Sequence, residues 1–329
     1  ILSWCAKPIM PVLNFVRYLN TRLDDWHQVL LESGLHARVE FDVVAPFNGS
    51  ERQLYSDLAT LLPARRQQLN GIVDALTLQA RERRLAACRV VASTLIDVAA
   101  MRRALPAEEF EDDLRQKAFV RAFQDDVRRH ARRAVDELLA VFAFRPDDAE
   151  LAEMPQLGGR WEDDLFNPEL LKEAGKRLGL GAMIGAGLGV VADVAMAGLS
   201  LGAATTLGAT IGGAASGGWR PLWRKLENRL AGVQELTVED PVLLLLADHL
   251  LDLARALEQR GHAAQDKLRV ADERVDEGLR GVVRALGTAR GHPDWERGEG
   301  RRGAGSTDRQ ALEAEVGRAL DQRFEAAAA

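Results

Sequence analysis

Only two cysteines, Cys5 and Cys88, occur in the 329 residues. Neither a disulfide framework nor a four-cysteine metal site is available, which suits a reducing cytosol. Positive charge is not in excess either, since 43 Lys and Arg face 49 Asp and Glu for a net charge of -6. A dedicated nucleic-acid binder needs a positive field to meet phosphate, so no nucleic-acid partner is expected. No charged stretch followed by an apolar core and a cleavage site opens the chain, so no secretory leader is expected. The sequence starts on Ile1 and runs straight into strand-like residues, as it would from within a domain.

Signatures of chemistry are also missing. There is no GxxxxGK[ST] phosphate loop and no HExxH, and the six histidines are scattered without ligand spacing. The adjacent carboxylates Glu162, Asp163 and Asp164 cannot converge on one ion as ligands must, and read as a solvated turn before a helix cap. His249 lies near Asp248 and Asp252 and reads as an ordinary surface or core histidine. The run Arg128-Arg129-His130-Ala131-Arg132-Arg133 reads as a solvated helix face paired with Asp125, Asp126 and Asp136. No catalytic residue and no metal ligand is therefore assigned.

What is present is a folded chain, 47% hydrophobic and 28% charged, long enough for about two domains. The expected class is mainly α, with a partial α/β unit at the N-terminus. Residues 9–16 read as a buried strand, about 21–33 as an amphipathic helix stopped by Gly34, 37–45 as a second strand and about 51–62 as a second helix. That unit, residues 1–62, is half an α/β domain. Residues 63–289 form the expected helical domain. It opens with helices from 63 to about 105 and from 106 to 144 as an antiparallel pair. Asn167 and Pro168 form a cap and first helical position, and a helix starts in Thr237-Val238-Glu239-Asp240-Pro241 with Val242 to Ala247 in the core. Helical sequence then runs over 262–289. Residues 290–329 have a Gly-, Arg- and Glu-rich linker to about 308 and a short final helix near 309–325.

Residues 178–219 stand apart as a Gly- and Ala-rich run whose one charge is Asp193. Two helical arms of about 20 residues at 1.5 Å per residue each match about 30 Å of hydrocarbon, with Gly198-Leu199-Ser200 as the turn. Gly181, Gly185 and Gly189 repeat at a spacing of four, as do Gly208 and Gly212, and small residues at that spacing let helices approach closely. Lys172, Lys176 and Arg177 precede the run. Trp219, Arg220, Trp223, Arg224 and Lys225 close it, the mixture expected of a cytoplasmic membrane interface. The same residues also build a soluble, tightly packed hairpin, and Asp193 weighs against insertion.

The opening residues PVLNFV, a helix and then EFDVVAP resemble the last third of an Era-like GTPase domain. The resemblance extends to about residue 285 through RWEDDLFNPE, the glycine-rich run and ELTVEDPVL, an arrangement similar to bacterial GTPases that carry a C-terminal domain of unknown function. It implies that Asn14 and the backbone at Ala45 are the remnant of a guanine-reading site. Phe15 and Arg17 depart from the Lys and Asp of that family's NKxD motif, and the Ala45 loop keeps only its alanine.

It further implies a parent protein that binds GTP and Mg²⁺ through parts preceding Ile1, with no cofactor held by this chain alone. The expected role is the C-terminal fragment of a GTP-binding regulatory protein whose helical domain is a membrane-associated or effector module. A non-enzymatic structural or oligomerisation module is the alternative. The corresponding partners are the missing GTPase half, an anionic membrane surface and a second copy of the chain. The expected location is the cytoplasm, at the inner membrane through peripheral contact or an inserted hairpin.

Overall fold

A computed structural model describes residues 9–14, 22–36, 38–41, 49–110, 112–144, 165–177, 199–201, 233–259, 277–296 and 306–326. Helix dominates it, as the apolar spacing predicts. The chain divides into two compact units, Ile1–Leu85 with Ala254–Arg269, and Ala86–Leu253 with Val270–Ala329.

The first unit begins with strand β1 (Val12–Leu13), helix α1 (Leu23–Glu32), strand β2 (Val39–Glu40) and helix α2 (Ser50–Leu61). The strands pair in parallel, Val12 with Val39 and Leu13 with Glu40. Parallel pairing requires a crossover connection, which α1 supplies. Asp24 and Asp25 in its first turn complement the helix dipole. The helix ends where Gly34 adopts φ +73°, with the Gly34 N–H donating to Leu31 O and the Leu35 N–H to Leu30 O. That pair of bonds is a Schellman cap, and the left-handed backbone is why glycine stands there. A turn of 3-10 helix, Pro63–Arg65, then leads into helix α3 (Arg66–Ala100).

In the second unit the end of α3 is the centre of the core, with Cys88, Val91, Leu95, Ile96 and Val98 essentially inaccessible. The helix expected to run to about residue 105 stops earlier. Arg103–Pro106 forms strand β3 instead, because it pairs antiparallel with strand β5 (Val233–Val238). Such pairing overrides a helical propensity of only tenths of a kcal/mol per residue. The next expected helix is likewise divided, into the short α4 (Ala107–Phe110) and α5 (Asp113–Val141). Asp112 caps α5 by accepting from Leu114 N–H at 2.9 Å. Val120, Phe123, Val127, Ala131, Ala134 and Leu138 make its buried stripe.

Helix α6 (Pro168–Arg177) starts as expected, with Asn167 Oδ1 accepting from Glu169 N–H at 3.0 Å. Leu199–Leu201 is strand β4, antiparallel to β5 with Leu199 opposite Val238 and Leu201 opposite Leu236. This corrects one expectation: at Leu199 and Ser200 the chain is strand rather than the turn expected at Gly198-Leu199-Ser200, because both residues pair with β5. The helix expected to start in Thr237-Val238-Glu239-Asp240-Pro241 does so at Asp240, as α7 (Asp240–Gln259), with Thr237 and Val238 closing β5. Val242 to Ala247 are buried as expected.

Helix α8 (Glu277–Ala285) buries Leu279, Val282 and Val283 and packs with α9 (Thr307–Ala326), whose stripe is Leu312, Val316, Leu320 and Phe324. Between them, the expected linker proves structured over its first part. Ala289–Gly291 and Pro293–Trp295 are 3-10 turns, with Trp295 buried and stacked on His292 at 4.3 Å between ring centroids.

Candidate functional site

Asn14 directly follows β1, at the carboxyl end of a parallel strand. Open parallel α/β sheets bind ligands there, because the loops leaving the strands converge at that edge. The ladder around it is regular. Val39 N–H donates to Pro11 O at 3.0 Å and Phe41 N–H to Leu13 O at 2.9 Å. His27 Nε2 of α1 stands 3.2 Å from Glu40 Oε1 at the end of β2. Phe15, Arg17 and Ala45 lie outside the described residues, so the structure places one of the two expected base-reading positions.

The glycine ridges Gly181, Gly185, Gly189, Gly208 and Gly212 also lie outside the described residues. So do Trp219, Arg220, Trp223, Arg224 and Lys225. What is described is β4, midway along the run, and its pairing with β5. No helix among the described residues is long and apolar enough to cross a membrane.

An open groove of about 640 Å³ in the first unit is lined by Pro63, Arg66, Gln67, Asn70, Gly71 and Asp74. These residues follow the spacing of a single helix face, and no nucleophile stands beside a base among them. Among the described residues no group of His, Cys, Asp or Glu has the arrangement of a metal site.

The strongest electrostatic feature went unseen in the sequence. Four arginines of the second unit hold the segment after α8 in place. Arg103 grips Glu296 with two parallel bonds of 2.7 Å and also donates to Asp126 at 3.1 Å. Its neighbour Arg102 bridges Glu235 of β5 at 3.1 Å and the Arg290 carbonyl at 2.7 Å. Arg290 pairs with Asp240 and donates to Val238 O at 3.0 Å, tying the end of β5 to the start of α7.

Arg309 is 1% exposed, and its guanidinium donates to Asp97 at 2.6 Å, Glu313 at 2.9 Å and the Trp295 carbonyl at 3.2 Å. Bidentate and multiply bonded guanidinium contacts of this kind fix geometry as well as charge.

Protonation follows from that geometry. Burial alone would push the Glu296 carboxyl up, but hydrogen bonds from Arg103 and His130 outweigh it and hold the group down at about 2. Arg103 rises above its ordinary value, chiefly through its hydrogen bond to Glu296. Glu239 rises because it is buried and sits beside Asp240, with Arg290 opposing. The cluster is a clamp.

Two lesser expectations also resolve. Arg128 pairs with Asp125 at 2.8 Å, and Arg129 pairs with Asp126, so the basic run of α5 is balanced at those positions. Arg128 also lies 5.2 Å above the Phe166 ring. Asp248 pairs with Arg323 at 3.4 Å, so it belongs to the packing between α7 and α9.

A family model described as a domain of unknown function, DUF3482, matches residues 27–318. No curated protein matches the chain, and no solved structure does.

Proposed function

We propose, for a chain that belongs to the DUF3482 family, a regulatory role: the C-terminal fragment of a GTP-binding protein whose helical domain is the effector or membrane-associated module. The observation that carries this reading is the parallel pairing of Val12 with Val39 across α1, followed by α2. The order strand, helix, strand, helix matches the end of an Era-like GTPase domain, with Asn14 at the strand end where that resemblance puts the base-reading asparagine. In such proteins switch segments order around the γ-phosphate and Mg²⁺, and an attached domain reads the change. The sequence contains no GxxxxGK[ST] phosphate loop. GTP and Mg²⁺ therefore do not fit this chain by itself, and no hydrolytic step is derived for it.

The membrane part of the proposal is peripheral contact at the cytoplasmic face of the inner membrane. Trp219, Arg220, Trp223, Arg224 and Lys225 favour the headgroup region, and Asp193 weighs against insertion.

A second reading, a structural or oligomerisation module with a degenerate GTPase remnant, is favoured by Phe15 and Arg17, which cannot read guanine as Lys and Asp do. The coding sequence upstream of Ile1 separates the two. A GxxxxGK[ST] followed by DxxG supports the regulatory reading, and their absence removes it.

A further inference from the structure

We draw no further inference here: the strongest candidate, the Ser50 hydroxyl at the N-terminus of α2, has no hydrogen-bond partner among the described residues but is wholly buried, so no ligand reaches it and nothing in the structure shows what it would hold.

Discussion

Arg309 and Asp97 form a buried ion pair, with Nη2 2.6 Å from Oδ1 and the arginine side chain 1% exposed. The pair joins α9 to the core end of α3, across 212 positions of sequence. Removing one partner leaves a buried charge without compensation, which costs about 3–5 kcal/mol. Arg309→Met should therefore destabilise the protein by about that much in urea unfolding. Arg309→Met combined with Asp97→Leu should recover most of the loss, because the desolvation penalty of both charges disappears. A double variant as unstable as the single one would contradict the assignment.

The Arg103–Glu296 clamp makes stability depend on acid. Glu296 titrates at about 2 in the folded protein against an ordinary value of 4.5. Its folded value is the lower one, so its contribution is complete above about 4.5 and is lost as pH falls toward 2. After a discount for partial exposure this amounts to roughly 2 kcal/mol. Stability of Glu296→Gln, measured between pH 5 and pH 2, should decline less steeply than wild type. Parallel curves would show that Glu296 is not a principal acid-sensitive group.

Much of the fold was legible in the sequence because its signals are local. Gly34 marks the left-handed cap of α1, Asn167 the start of α6, and the apolar run Val242 to Ala247 the buried face of α7. Strands β3 and β5 were not legible. Arg103–Pro106 has no strand pattern of its own and is extended because β5 lies beside it. The arginine clamp was hidden for the same reason, since Arg103 and Glu296 are 193 positions apart. Two faint signals existed. Asp97 interrupts an apolar stretch of α3, and Arg309 lies three residues before Leu312 on the buried stripe of α9. A charge at a core position implies a buried partner. Of the two candidate base-reading positions, Asn14 lies directly after β1 and Ala45 lies outside the described residues.

Ala143 ends α5 with φ +60°, and Phe144 N–H donates back to Leu139 O at 2.9 Å. This repeats the cap at Gly34 with a residue whose Cβ crowds the left-handed conformation by about 1–2 kcal/mol. Glycine relieves that crowding but loses more chain entropy on folding. Ala143→Gly should stabilise the protein by roughly 0.5–1 kcal/mol, raising the thermal midpoint. An unchanged or lowered midpoint would mean that the cap carries no such strain.

Peripheral membrane contact is checked by co-sedimentation with vesicles containing anionic lipid. The fraction bound should fall with salt, because each basic residue near the surface contributes about 1 kcal/mol that is screened. It should fall further when Trp219 and Trp223 are both changed to alanine. Folded wild-type protein that stays wholly in the supernatant at low salt would leave the effector role without its membrane component.

We propose that β1, α1, β2 and α2 form the closing part of a guanine-nucleotide-binding domain. Calorimetric titration with GDP and Mg²⁺ tests it most directly, on this chain and on the same chain extended upstream by its own coding sequence. Most nucleotide affinity comes from phosphate contacts, and Asn14 and Ala45 are proposed to meet only the base. Weak or no binding is expected for the chain as it stands, and micromolar or tighter binding for the extended form. Failure of a folded, extended protein to bind, or micromolar binding by the present chain, would contradict it.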